Sequence, residues 1–238
     1  MCGRYTLTTS DQRRLGNRFQ MKLEDEAPGL GRYNVAPTQE VLTVNTDAGT
    51  GEREAVASRW GLVPFWAKDL KAGYKMINAR NDRLLTSKAY GPLVKKSKNR
   101  CLIPADGFYE WLKAENPKEP RQPVRFTVDG GEPFAFAGLT VTRDWEGDPL
   151  TSCTIVTTEA NDVVSRVHDR MPVILPNEEA EQAWLNGELT AEEAVSLCVP
   201  LDPARMEAKP ANPVLNKVGG AKEGPDFLEA PDDRAEND

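Results

Sequence analysis

Five strand-like runs crowd into residues 100–158, at 100–104, 107–112, 123–129, 134–142 and 151–158, with no helix-like segment between them. Each is short, apolar or β-branched, and bounded by turn residues. Parallel strands need a crossover of a dozen or more residues, usually a helix, so this spacing argues against a doubly wound parallel sheet. Two earlier runs, 40–46 and 53–60, also alternate as strands and are joined by a Gly/Asp turn. Helix-like segments are predicted at 10–19, capped by Ser10 or Asp11, and at 80–97, with a break near Gly91-Pro92. Others are predicted at 160–167, 177–186 and 190–198, while Gly29–Thr38 reads as a Gly/Pro loop. No internal repeat is present. The pattern predicts a mixed α/β (α+β) fold: one compact domain around a curved, largely antiparallel sheet with flanking helices.

Charge divides the chain unevenly. Its 238 residues carry a net charge of −7, the wrong sign for coating nucleic acid by bulk charge. Residues 221–238 hold two basic side chains, Lys222 and Arg234, against seven acidic ones, a net of −5. This stretch is expected to be a disordered acidic tail, which leaves a domain of residues 1–220 at −2. Within that domain Lys95, Lys96, Lys98 and Arg100 cluster locally, as do Arg166 and Arg170, so local basic patches remain. No apolar run approaches the roughly 18 residues of a membrane span. The N-terminal MCGRYTLTTS has no apolar leader core, so a cytoplasmic location is expected. Nothing suggests an extended interface, and the chain reads as a monomer.

Composition also limits the chemistry. The one histidine, His168, excludes zinc centres built on two or three imidazoles. The four cysteines, at 2, 101, 153 and 198, include no CxxC pair, so no metal site and no cofactor are predicted. Cys101, Cys153 and Cys198 lie in apolar runs and read as small buried hydrophobes. Cys2 differs, because it lies in a polar segment beside Gly3 and Arg4. Loss of the initiator Met leaves a chain that starts with Cys, its α-amine and thiol on adjacent carbons. Both groups have a nucleophilic fraction near neutral pH. An amine so placed condenses with an aldehyde to an imine, and the thiol then closes a five-membered thiazolidine.

Other candidates follow along the chain. In LIPADGFYEW (102–111) a lone carboxylate, Glu110, lies between Tyr109 and Trp111, a setting that raises its pKa and suits a general acid/base. In RVHDRMPVIL (166–175) His168 has Arg166, Asp169 and Arg170 as neighbours and can act as acid/base or phosphate contact. MINAR (76–80) places Asn78 and Arg80 on one side of an extended segment, to orient a nucleophile and hold an anion. GRYNVAPTQ (31–39) offers Arg32 and Asn34 beside a Pro-fixed turn. WGLVPFW (60–66) supplies Trp60, Phe65 and Trp66; the last two can stack on unpaired bases, while Trp60 fits a core role.

Taken together, MCGRY, GRYNVAPTQ, RWGLVPFWAKD, INAR, LIPADGFYEW and VHDRMPVIL resemble the SOS-response-associated peptidase (SRAP) family over about residues 1–220. The resemblance implies a compact α/β domain with a positively charged groove. It implies loss of Met1, binding to single-stranded DNA and covalent attachment of Cys2 to abasic sites as a thiazolidine, which shields the lesion in the damage response. Crosslink reversal or strand cleavage of lyase type, and autocatalytic removal of Met1, also come with it. The family's catalytic positions fall on Cys2, Asn78, Glu110 and His168, and its DNA contacts on Arg4, Asn34, Trp66, Arg80 and Arg170. Replication-associated proteins are the further partners such a role brings. The run after INAR departs from the pattern: Asp82 keeps the acid, but Arg83 stands where a Thr is usual, and the acidic tail lies outside it. Two other readings use the same residues. One is a thiol peptidase acting on peptides, with Cys2 as nucleophile, His168 as base and Glu110 or Asn78 as orienter. The other is a non-catalytic reader of modified DNA.

Overall fold

The computed structural model describes residues 2–23, 27–47, 49–113, 116, 119–217 and 223–231. In chain order the first half holds β1 (Arg4–Leu7), α1 (Gln12–Phe19), β2 (Met21–Lys22), β3 (Arg32–Val35), β4 (Glu40–Thr46), β5 (Arg53–Trp60), β6 (Asn78–Arg80), α2 (Gly91–Val94), β7 (Arg100–Ala105) and β8 (Gly107–Trp111). The second half holds β9 (Pro123–Val128), β10 (Phe134–Trp145), β11 (Asp148–Glu159), β12 (Arg170–Pro172), β13 (Ile174–Leu175), α3 (Glu178–Leu185), α4 (Ala191–Ser196) and β14 (Met206–Pro210). The expected α+β class is the class observed.

The strands form two sheets. One runs β14-β9-β8-β1-β3 and is antiparallel throughout. The other runs β12-β11-β10-β7-β4-β5-β2 and curls until β5 meets β11, pairing Arg59 with Ser152 and Trp60 with Cys153 in parallel. That contact closes a small barrel from β4, β5, β7, β10 and β11. Closure removes two free edges and leaves the parallel flank of β11 to receive β6, with Ile155 opposite Asn78 and Thr157 opposite Arg80.

An aromatic cluster joins the sheets. The Tyr5 ring lies 5.3 Å from Trp60 and 5.8 Å from Phe136, and Phe108 stacks on Phe126 at 5.0 Å. Trp60 is fully buried, in the core role expected for it, and its indole N–H donates to the Ile77 carbonyl at 3.0 Å. The chain between β5 and β6 crosses itself at Gly61 and Gly73. A side chain at Gly73 would come within 2.6 Å of the Gly61 carbonyl oxygen, and Gly61 has a φ of +124°. Only glycine suits both positions.

Four expectations are corrected. The helix expected over 80–97 is broken into short pieces: a 3₁₀ turn at Asn81–Arg83, α2, and another turn at Ser97–Asn99. The helix expected over 160–167 is only a 3₁₀ turn at Val164–Arg166, because the Asn161 side chain accepts from the Val163 and Val164 amides and makes a local turn. The expected loop 29–38 contains β3. Arg100 does not join a basic surface: it is 1% exposed, donates to the Val94 and Asn186 carbonyls, and lies over the Trp184 ring.

The expected acidic tail also differs where it is described. Residues 223–231 fold back on the domain. Phe227 is buried against Tyr109, Ala211 and Leu215, and the Ala230 amide donates to Pro210 at 3.1 Å. Its aromatic anchor outweighs the acidic composition. The remaining tail positions, 221–222 and 232–238, lie outside the described residues. No helix among the described residues is long and apolar enough to cross a membrane.

Candidate active site and nucleic-acid interface

Strand β1 lies between β3 and β8, and Cys2 ahead of it joins the main core. Cys2, just ahead of it, is fully buried, and its thiol donates to the Arg4 carbonyl at 3.7 Å. β6 brings up Asn78, whose side-chain N–H donates to the Cys2 carbonyl at 2.8 Å. The other end of that carboxamide, Oδ1, is buried without a partner among the described residues. It is an acceptor held beside the Cys2 backbone. Tyr90 steadies this strand by donating its hydroxyl to the Asn78 carbonyl at 3.3 Å.

Glu110 enters from β8 and is 4% exposed. On that strand Tyr109 and Trp111 face one side, so alternation turns Phe108 and Glu110 to the other, where Phe108 joins the main core. Burial pushes the Glu110 carboxyl above its ordinary pKa; the positive charges of the chain amine and His168 oppose this without cancelling it. Burial pushes the Cys2 thiol up as well, and the Glu110 charge adds to that. Cys2, Glu110 and His168 thus share one electrostatic environment, with Asn78 bonded directly to the first.

His168 follows the Val164–Arg166 turn. Its Nδ1 accepts the Arg170 amide N–H at 3.0 Å, and a carboxylate oxygen of Asp169 lies 2.8 Å from the same nitrogen. The two contacts are incompatible on one protonation state. A neutral ring that accepts from Arg170 keeps its proton on Nε2, whereas the Asp169 contact needs Nδ1 protonated.

The five expected DNA contacts are placed differently from one another. Arg4 donates to the Asn34 Oδ1 at 2.7 Å and lies 5.7 Å from the Trp111 ring centre, so these two positions act as a pair. Arg80 is exposed and holds Asp82 through two bonds of 3.0 and 2.8 Å. Arg170 is mostly internal, donating to the Thr157 carbonyl at 2.7 Å and to Asn81 at 3.0 Å. It ties β12 to the segment after β6. Trp66 is 49% exposed beside Phe65 at 74%, the rings edge to face at 4.8 Å. Among the described residues no hydrogen bond or ring contact links Trp66 to the other site positions. Arg143 steadies its loop by donating to the Pro64 and Ala67 carbonyls at 2.6 and 3.2 Å.

Sequence reasoning missed three supports. Asn81 bridges Thr158 and the Cys198 carbonyl, and Tyr90 braces Asn78. Trp111 backs Arg4; its alternation with Glu110 in FYEW was the available signal. Arg83, where a Thr is usual, is exposed.

The model of the SOS response associated peptidase (SRAP) family matches residues 1–218. The chain belongs to the SRAP family. Among curated relatives, Abasic site processing protein YoqW of Bacillus subtilis (strain 168) is 42% identical over 222 residues, covering 91% of this chain and 94% of that one. Abasic site processing protein HMCES of Gallus gallus is 33% identical over 255 residues, covering 92% of this chain and 75% of its own length. A crystal structure of a protein from Bacteroides thetaiotaomicron, 22% identical, matches with a TM-score of 0.84 over 97% of this chain and 100% of that one, a likeness of fold. One from Bordetella bronchiseptica, 27% identical, matches with a TM-score of 0.72 over 89% of this chain and 100% of that one. In this SRAP domain the catalytic candidates come from four distant parts of the chain, and the family match spans all of them.

Proposed function

We propose that the chain processes abasic sites in single-stranded DNA by bonding to them covalently through Cys2 after loss of Met1. The observation that carries this reading is the Asn78 carboxamide bonded to the Cys2 backbone, its Oδ1 without a partner among the described residues, with the buried Glu110 carboxyl of raised pKa acting on the same Cys2. Relatives named abasic site processing proteins support it.

The chemistry follows from the groups present. The Cys2 α-amine, oriented by Asn78, adds to the aldehyde carbon of the ring-opened sugar. Glu110, its pKa raised by burial, gives a proton to the departing hydroxyl, and water leaves as the imine forms. The thiol sulfur then adds to the imine carbon while its proton passes to nitrogen, closing the thiazolidine. One water is lost overall, and no oxidant or metal is required. His168 exchanges protons and meets the neighbouring phosphate. Arg4, Asn34, Arg80 and Arg170 contact the strand, and Trp66 gives a base a stacking face.

The thiol peptidase reading has weaker support. A cysteine nucleophile for peptide bonds needs a depressed pKa, and burial drives the Cys2 thiol the other way. The deciding experiment mixes the purified protein with single-stranded DNA carrying one abasic site, then resolves it on a denaturing gel and by intact mass. A covalent adduct lacking Met1 and one water is expected. An adduct that persists in Cys2→Ala, or peptide turnover without any adduct, overturns the reading.

A further inference from the structure

A carboxylate from outside the family match sits in a site shaped for an oxyanion. Glu223 lies beyond residue 218, where the SRAP match ends. Its Oε2 accepts from the backbone amides of Tyr33 at 3.0 Å and Asn34 at 3.3 Å, and from Arg32 Nε at 3.1 Å. Its Oε1 accepts from Arg32 Nη2 at 2.9 Å and Nε at 3.3 Å. Two successive amides and a forked guanidinium are the donors that recognise a phosphate or a carboxylate.

The cradle is built independently of its occupant. Arg32 Nη2 also donates to Gln39 Oε1 at 2.9 Å, and that oxygen accepts the Ala36 amide at 2.9 Å, so the guanidinium stays aimed if Glu223 leaves. Asn34 supplies an amide to the cradle while its side chain accepts from Arg4. The cradle therefore adjoins the residues that follow Cys2. Burial alone would raise the Glu223 carboxyl, but the Arg32 and amide donors outweigh it and hold the pKa below its ordinary value. Phe227 anchors the same segment four residues on, so Glu223 can release locally while the segment stays attached.

We propose that Arg32 and the amides of Tyr33 and Asn34 form a phosphodiester site for the DNA strand, and that Glu223 occupies it in place of phosphate until DNA displaces it. The proposal rests on the DNA-binding reading above. It makes the end of this chain a built-in competitor that weakens binding to any single strand.

Fluorescence anisotropy with a lesion-free oligonucleotide tests the competition. Glu223→Gln should bind about three- to tenfold more tightly than wild type. Arg32→Ala should bind more weakly. Unchanged or weaker binding by Glu223→Gln with an unchanged melting temperature overturns the proposal. Amide NMR of the wild-type protein gives a test that needs no variant: the Tyr33, Asn34 and Glu223 signals should shift together on adding the oligonucleotide. Oligonucleotide binding that leaves them still overturns the proposal. The same titration with inorganic phosphate shows whether a free anion suffices; shifts with the oligonucleotide and none with phosphate assign the site to the strand. Crosslinking to abasic DNA is scored separately: adducts with silent amide signals sink only the cradle, and moving signals without adducts sink only the covalent reading.

Discussion

Glu110 is held above the ordinary carboxylate range because burial penalises its charged form more than the nearby positive charges reward it. Burial that raises the carboxyl pKa favours its proton-donating form but costs the fold something. Since the folded pKa lies above the unfolded value of about 4.3, its contribution is fully present below that pH and is lost as pH rises through the folded value. Glu110→Gln should therefore raise the melting temperature at pH 7 by about 2–4 °C, a gain that vanishes below about pH 4. The same substitution should slow adduct formation by about 100-fold. The wild-type rate should fall as pH rises through the Glu110 pKa; a flat profile in single-turnover assays would remove it as the acid. Asn78→Ala should slow formation by about 10- to 100-fold at unchanged lesion-free DNA affinity, since it positions the nucleophile. Cys2, Asn78, Glu110 and His168 stood out as candidates because each is chemically distinctive in its segment. The internal bonds of Arg170 to Asn81 and Thr157 were not legible, because they join parts of the chain far apart in sequence.

The elements most legible in sequence were apolar or alternating runs bounded by turn residues. β4 and β5 fall on the expected residues, 40–46 and 53–60; β4 is buried continuously from Val41 to Asn45, and β5 buries the alternate positions Ser58 and Trp60. The segments 80–97 and 160–167 misled because polar side chains there bond to local backbone and stop helix growth, as Asn161 does. β3 was hidden in a glycine- and proline-rich run, and only pairing with β1 extends it. The Gly61–Gly73 crossing sets the path into β6, where the Leu62 amide donates to the Met76 carbonyl at 3.1 Å. Gly73→Ala should push the two backbones apart, destabilise the protein by about 1–3 kcal/mol and lower adduct yield through misplaced Asn78. Chemical denaturation and the gel assay check the two effects; a variant of wild-type stability would show that the crossing has slack.

At the scale of the whole molecule, the net charge of −7 conceals its distribution. The C-terminal residues 221–238 account for −5 of it, yet part of that segment packs on the domain. Phe227 covers Tyr109 and Leu215, so Phe227→Ala should cost about 3 kcal/mol. Urea denaturation measures it, and a loss below about 1 kcal/mol would mean that the segment adds little to the fold. The barrel closure between β5 and β11 was not readable from local pattern, because two residue pairs far apart in sequence make it.

Burial of Cys2 also sets a clock for the newborn chain. The thiol and its backbone are enclosed only once β8, which begins at Gly107, can pair with β1. At about 5–20 residues per second of synthesis, the N-terminus stays open for roughly five to twenty seconds after it is made. Any trimming of the first residue by an outside enzyme has that interval in which to act, before the growing protein closes over its own beginning.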